Sequence, residues 1–342
     1  MATIKDVAAR AGLSVGTVSR ILNNRGYISE QSRQKVQQAM KELSYQPNEV
    51  ARSLSKQQSN IFGLIVPHIR HPYFAAVISE VEMEASRLGY QLLLFNTKDR
   101  ESKLSEYVEQ CRRNRVAGII LFSPDLKDGG VLENPHIPVV TIERAFTCAT
   151  ACIECDNLMG GKLQAEHLIE IGKRNLVIMS GGSDRQMPAD DRTRGALLVA
   201  EKYGTACREV RTSSEEYNQE NYYARIAHLL EESRRGNPVD GILASSDVIA
   251  SQVLQCAAAQ GIRVPEDLAV VGFDDTLIAK TTIPTLTTIH QPIREMAQTA
   301  VQFLIRASEG RVVPTRTVLP VSLVVRGSTV RDRNILPDGS EG

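Results

Sequence analysis

The 342-residue chain has no apolar run long enough to cross a bilayer, and no apolar signal-peptide core near its start. Both absences argue against a membrane protein and lead to the expectation of a cytoplasmic one. Net charge is also missing, since 40 Lys and Arg balance 40 Asp and Glu. Neither a G-x-G-x-x-G dinucleotide loop, a G-x-x-x-x-G-K-[ST] phosphate loop nor an H-E-x-x-H zinc helix occurs. An enzyme is therefore not expected. The tail RDRNILPDGSEG (331–342) holds Pro337 and Gly339 and lacks heptads, so it is expected to be mobile rather than to form a coiled coil.

A charge count by region shows what the neutral total hides. The first 60 residues hold nine Lys and Arg against four Asp and Glu, a net +5, so the remainder carries −5. A basic headpiece on an acidic body is the asymmetry expected of a nucleic-acid binder. The length suggests two to three domains, and 42% hydrophobic with 23% charged residues suits a soluble globular protein.

Within the headpiece, TIKDVAARAGLSVGTVSRILN (Thr3 to Asn23) reads as two short helices joined by a tight turn. Thr3 can cap the first, with Asp6 three residues on. Ile4, Val7, Ala8 and Ala11 then share one face. Gly12 stops that helix and Ser14 caps the next, in which Val18, Ile21 and Leu22 face inward. Val15, Gly16, Thr17 and Arg20 are left outward. Small residues with one arginine suit the DNA major groove: Arg20 can fork onto guanine O6 and N7, and Val15 or the Thr17 methyl can touch a thymine methyl. An ordinary helical hairpin with a solvated face is the plainer alternative. A third amphipathic helix spans Ser29 to Leu43, and NEVARSLSK (48–56) is a helical segment too short to be stable alone.

Met1 to Leu54 closely resembles the headpiece of the lactose repressor (lacI) family of bacterial transcription regulators, through TIKDVAARAGLSVGTVSRILN and YQPNEVARSL. The resemblance implies contacts to operator DNA from Thr3, Ser14, Val15, Gly16, Thr17, Ser19, Arg20 and Asn23. It also implies a hinge helix that folds only on the operator, through Ala51, Leu54, Ser55 and Lys56. Leu54 would wedge a central base step open, a cost of about a few kcal/mol offset by the contacts a kink allows. Paired half-sites imply a homodimer on a pseudo-palindromic operator, associated with the nucleoid.

From Ile61 onward strands alternate with helices, the pattern of doubly wound parallel sheets. Strands are expected at 61–67, 90–97, 116–123, 138–143, 175–181, 240–247 and 267–275. Helices are expected from about Tyr73 to Leu88, Glu101 to Asn114, Gly160 to Ile171, Arg192 to Tyr203, Asn218 to Glu232, Val248 to Gln260 and Pro292 to Glu309. The segment LTTIHQP (286–292) and a last extended piece, VLPVSLVVRGS, flank that final helix. The expected organisation is a helix-turn-helix headpiece (1–46), a hinge and linker (47–60), an effector-binding and dimerisation domain (61–330) and a tail (331–342). Two α/β subdomains of periplasmic-binding-protein type make up the third part, one from about 61–158 and 289–318, the other from about 159–288 and 319–330.

In such sheets ligands sit outside the strand C-termini, and between two facing sheets they sit in the cleft. The strand ends offer His68, Arg70, Tyr73 and Phe74; Asn96; Ser123; Arg192; Ser246 and Asp247; and Asp274 and Asp275. The body resembles periplasmic sugar-binding proteins, with DRTRG, SSD, VVGFDD and TTIHQP in the places of recurring lacI-family motifs. The resemblance implies that Arg192 of R-x-x-G and Asp274, the first acid after V-x-G-[FY], hold a small effector. It places an aromatic near Phe74 on the effector's flat face and Gln291 at the cleft rim. The expected effector set is Arg70, Tyr73, Phe74, Ser123, Arg192, Ser246, Asp274 and Gln291, with a sugar or sugar phosphate as ligand. An arginine fork beside carboxylate acceptors suits vicinal hydroxyls.

Two departures from the family pattern leave the ligand open: Ser246 stands for the usual Asn before the acid, and Glu143-Arg144 for Asp-Arg. Plainer roles exist for each residue. Arg192 could pair only with Asp190 or Asp191, Asp274 and Asp275 could cap the following helix, and Tyr73 and Phe74 could be core.

Cys148, Cys152 and Cys155 have C-x3-C-x2-C spacing, similar to the iron–sulfur triplet of radical enzymes that use S-adenosylmethionine. With no His or fourth Cys nearby, and strand alternation turning Cys152 and Cys155 to opposite faces, no metal or other cofactor is expected. The leading expectation is thus a repressor of a sugar-utilisation operon, released by an inducer. A corepressor-dependent repressor, a sugar-processing enzyme and a transport binding protein are the alternatives.

Overall fold

The computed structural model describes residues 2–22, 28–45, 59–98, 101–122, 137–144, 149–181 and 187–330. Asn23, the hinge residues Ala51, Leu54, Ser55 and Lys56, Ser123, Cys148 and the tail 331–342 lie outside them. The chain divides into two compact units, Met1–Ser59 and Asn60–Gly342.

The first unit is built on α1 (Ile4–Ala11), α2 (Val15–Leu22) and α3 (Glu30–Glu42). At its start the Asp6 carboxylate accepts from both the Thr3 amide (2.7 Å) and the Thr3 hydroxyl (2.8 Å). Gly12 ends α1 at φ 64, the left-handed conformation that glycine adopts without Cβ strain. Ser14 accepts from the Thr17 amide at 3.1 Å and so caps α2, and Ser29 caps α3 through Ser32. Val7, Ala8, Ala11, Val18, Ile21, Val36 and Ala39 form the shared core, with Leu22, Met40 and Leu43 packed around it. Three helices this short hold together because each buries one apolar stripe against the other two.

The second unit contains two six-stranded sheets of the same winding. The first runs β11-β5-β4-β3-β1-β2 and the second β12-β10-β9-β8-β6-β7. The strands are β1 (Ile61–Val66), β2 (Gln91–Asn96), β3 (Gly118–Leu121), β4 (Val139–Ile142), β5 (Ala151–Cys155), β6 (Asn175–Ser180), β7 (Ala206–Arg211), β8 (Gly241–Ala244), β9 (Ala269–Asp274), β10 (Thr287–His290), β11 (Arg316–Leu319) and β12 (Ser322–Val324). Among the described residues every strand pairing is parallel except that of β10 with β12. The central strands β1, β3, β4, β8 and β9 are buried almost throughout, which is why they read as unbroken apolar runs.

The helices that matter for the site are α4 (Pro72–Arg87), α6 (Asn157–Glu170), α7 (Asp190–Tyr203), α8 (Ser214–Gln219), α10 (Asp247–Ala259), α11 (Leu277–Thr281) and α12 (Ile293–Ser308); α5 (Glu101–Arg113) and α9 (Tyr223–Arg234) complete the described set. The chain passes between sheets after β5, after β10 and between β11 and β12. This corrects the expected boundary at 288/289, because Thr287–His290 pairs as one strand with β9 in the second sheet. Leu319 likewise stays in the first sheet, opposite Cys155. The expected helix from Asn218 is also corrected. Glu220 sits at φ 52 and ends α8, so α9 starts only at Tyr223. The helix expected from Gly160 begins at Asn157, where Asp156 caps it through Met159.

Candidate functional site

On α2, the residues expected to meet DNA are outward. Val15, Gly16 and Arg20 are exposed, Thr17 and Ser19 half-buried, and Thr3 and Ser14 exposed at the helix starts. Val18 and Ile21 anchor the opposite face. Gly12-Leu13-Ser14-Val15-Gly16 has G-x-S-x-G spacing, yet it joins two helices rather than a strand to a helix, and Ser14 serves as a cap.

In the second unit the C-terminal ends of the strands bring a polar group together. Arg192, on the first turn of α7, donates from Nε to Asn157 Oδ1 (2.7 Å) and from Nη1 to the Ser245 carbonyl (2.6 Å). Its guanidinium lies 3.6 Å from the centre of the Phe273 ring. Its nitrogens stand 4.0 Å from Glu143 Oε2 and 4.0 Å from Asp274 Oδ1. The plainer role falls away: Asp191 pairs with Arg194 and Asp190 with Arg211. Arg192 therefore joins the end of β4, the start of α6 and the ends of β8 and β9.

Asp274 is buried, at φ 116, and accepts from Gln291 Nε2 at 2.7 Å. Burial holds its carboxyl well above the ordinary range, Arg192 opposes that, and Asp247 and Glu143 add to it. Neither acid caps α11, whose N-cap is Thr276. Asp275 instead pairs with Arg326 (2.7 Å) and His290 (3.0 Å). Asp247 is wholly buried and accepts from the Thr276 amide and hydroxyl and from Thr288 Oγ1, tying α10 to β10. Burial pushes it up to about 6.

From the first sheet come Tyr73 and Phe74 on α4. Both are buried in the apolar core, Phe74 edge-on to Phe122 at 5.8 Å. Burial holds the Tyr73 hydroxyl well above its ordinary range, with Glu143, Cys155 and Asp274 adding to this and Arg192 opposing it. Among the described residues, Tyr73 Oη and Gln291 Oε1 are buried without a hydrogen-bond partner. His71 accepts from the Tyr73 amide and caps α4; burial lowers its imidazole to about 4, with His68 and Arg192 adding to the effect. Arg70 is exposed on the loop after β1. Ser246 accepts from the Ile249 amide (3.3 Å) and caps α10, next to Ser245, whose carbonyl accepts from Arg192.

Glu143 and Asn157 belong to the centre of this group but were not among the expected effector residues. Glu143, at φ 55, accepts from the Cys155 amide (2.6 Å) and from Asn157 Nδ2 (2.8 Å). The only sequence signal was Glu143's place in the variant Glu-Arg pair. Cys152 and Cys155 go to different partners: Cys152 Sγ lies 3.0 Å from Glu154 and 3.0 Å from the Arg144 carbonyl, Cys155 Sγ 3.4 Å from Asn157 Oδ1. Burial pushes the Cys152 thiol up to about 12.

Residues 3–48 match the family profile of bacterial regulatory proteins, lacI family, and residues 165–329 that of a periplasmic binding protein-like domain. The ribose operon repressor of Halalkalibacterium halodurans is 36% identical over 98% of this chain and 99% of its own. The chain belongs to the lacI family. The sucrose operon repressor of Lactococcus lactis is 33% identical over 94% of this chain and 98% of its own. A lac repressor dimer bound to operator and an anti-inducer superposes with a TM-score of 0.81 at 27% identity, covering 96% of this chain and 99% of that one. The helix-turn-helix of this lacI-family chain is thus a DNA-binding module, and the two sheets are its effector-domain architecture. No helix among the described residues is long and apolar enough to cross a membrane.

Proposed function

We propose that this lacI-family regulator represses a sugar-utilisation operon as a homodimer, and that a sugar or sugar phosphate held between the two sheets releases it from the operator. The effector would be held by Arg192, Asp274, Glu143, Asn157, Gln291 and Tyr73, with Phe74 behind Tyr73. The observation that carries this reading is the pair of buried, unpartnered polar atoms, Tyr73 Oη and Gln291 Oε1, beside the Arg192–Asp274 pair. Buried polar atoms are ordinarily satisfied, and a polyol supplies both a donor and an acceptor at each hydroxyl. The repressor names of the relatives support the class of ligand. The site carries no catalytic step in this reading, and the protein uses no metal or organic cofactor and works in the bacterial cytoplasm on the nucleoid.

The mechanism follows from linkage. A ligand that touches residues of both sheets prefers one arrangement of the subdomains, and only that difference can change DNA affinity. The test is to select genomic fragments with the purified protein, then titrate the selected duplex by fluorescence anisotropy with a panel of pentoses, hexoses and their phosphates. Release from a short palindrome by one sugar supports the reading. Tighter binding with ligand identifies a corepressor instead, and indifference to every small molecule sinks the effector site.

A further inference from the structure

The passages between the sheets leave or re-enter the first sheet at β5 and β11; two of them join the second sheet at β10 and β12, and the one after β5 enters through α6, which packs on β12, β10 and β9 before the chain reaches β6. The opposite edges are β1 and β2 of the first sheet and β6 and β7 of the second. At that far edge two rings meet across the junction: His68, on the loop after β1, and Tyr217, on α8 after β7, have centroids 5.6 Å apart at an interplanar angle of 70°. The Arg192 group lies between the passages and this contact. We infer that His68 and Tyr217 form a latch, a pair of positioning residues that close the mouth of the cleft and retain the effector without belonging to the Arg192–Asp274 group.

Both rings are rigidly presented, so their contact reports on the subdomains rather than on loose loops. The loop of His68 is fixed by the Pro67 carbonyl, which accepts from Lys98, and by the His71 cap of α4. On the other side, Ser213 and Glu216 form a capping box at the start of α8. Glu216 is held in turn by Arg225 at 2.9 Å. Gln252 of α10 then grips both the Glu220 carbonyl (2.7 Å) and the Tyr222 amide (2.8 Å). Tyr217 thus moves with the second sheet, and His68 with the first.

Leverage decides why this contact matters. At strand spacings of about 4.8 Å, the far edge is about 15–20 Å from the passages, so a hinge rotation of about 15° parts the rings by about 4–5 Å. The distances around Arg192, nearer the hinge, change less. An edge-to-face pair of this geometry is formed in the closed arrangement and lost on modest opening. Its consequence for ligand release rests on the effector reading above; the existence of the latch does not.

Because the chain contains no tryptophan, the contact can be watched directly. Tyr217→Trp places a single indole at the latch, and acrylamide quenching of its emission measures its exposure in the full-length, ligand-free protein. Adding His68→Ala should raise the quenching constant at least about twofold; equal constants with and without His68 overturn the latch. In the second arm, D-ribose is the first probe, followed by the rest of the sugar panel. His68→Ala and Tyr217→Ala should each speed release of the bound sugar about three- to tenfold. The double variant should be no faster than either single one. Additive single effects, or unchanged release, overturn the retention role. If no sugar binds the wild type, the effector reading fails, and the indole measurement still decides whether the rings meet.

Discussion

Arg192 concentrates the consequences of the site in one side chain. It is 11% exposed, makes two hydrogen bonds and faces two carboxylates, so the remaining N–H groups are oriented without freedom to search. Arg192→Ala should cost about 2–4 kcal/mol of sugar binding, roughly 30- to 1000-fold, with operator affinity in the absence of sugar little changed. Isothermal titration with the sugar found by the panel, beside anisotropy on the operator, separates the two effects. A variant that is still released by sugar at normal concentrations would show that the site lies elsewhere. His71 offers a second test at this scale. Its imidazole, lowered by burial to about 4, binds fewer protons in the folded chain than in the unfolded one between that value and its ordinary 6.5. The stability it contributes is therefore full above 6.5 and is lost as pH falls towards 4, about 3 kcal/mol over the window. Asp247, pushed up to about 6, acts with the opposite sign over nearly the same range, so the wild-type curve hides both. His71→Asn keeps an N-cap acceptor for Tyr73 and removes the titration. In urea unfolding at pH 7.5 and 4.5, the wild type should lose about 2–3 kcal/mol more than the variant; equal losses would show that His71 is not what carries the proton linkage.

At the scale of elements, α6 and α7 are pressed together through two glycines. A Cβ on Gly195 would stand 2.1 Å from the Leu158 carbonyl oxygen, and one on Gly161 1.9 Å from the Arg192 carbonyl oxygen. Backbone against backbone leaves nothing flexible to yield. Gly195→Ala should force α7 outward, cost about 1–3 kcal/mol of stability and weaken sugar binding by carrying Arg192 off Asn157. Urea unfolding and titration read the two together, and full sugar affinity in a destabilised variant would unlink the helix crossing from the site. Sequence reading found most of these elements because buried parallel strands and capped amphipathic helices leave strong periodic signals. It missed β7, whose ACREVR alternates polar residues on a half-exposed edge, and the short α8 and α11, which lack a full amphipathic period. Arg192, Asp274 and Gln291 were expected at the effector from the family resemblance and Tyr73 from its strand end, and the structure places Asp274 against Arg192 and Gln291. Glu143 and Asn157 were not expected there, because their meeting depends on a left-handed turn at Glu143 and on two elements brought together by sheet order. For Ser246 the structure adds a second role, since a serine after a strand is as good a helix cap as a ligand group and here its hydroxyl caps α10.

For the whole molecule, the neutral sum conceals a division of labour between the +5 of the first 60 residues and the −5 of the rest. Two headpieces on one operator would bring a local excess of about ten positive charges to the phosphates, while the acidic bodies are repelled from the duplex. Long-range attraction of this kind acts through counterion release, so its slope with salt counts the phosphates neutralised. The Arg192–Asp274 pair is buried and screened far less. The two activities should therefore separate on one axis. Operator affinity is expected to fall about 10³-fold or more between 50 and 200 mM salt. The affinity of a neutral sugar should move by less than about threefold over the same range. Anisotropy on the selected duplex and calorimetry with the sugar, in the same buffers, give both lines. A flat operator line would mean that the basic residues of the headpiece do not meet phosphate. A steep sugar line would mean that the ligand carries charge of its own, which would select a sugar phosphate over a free sugar.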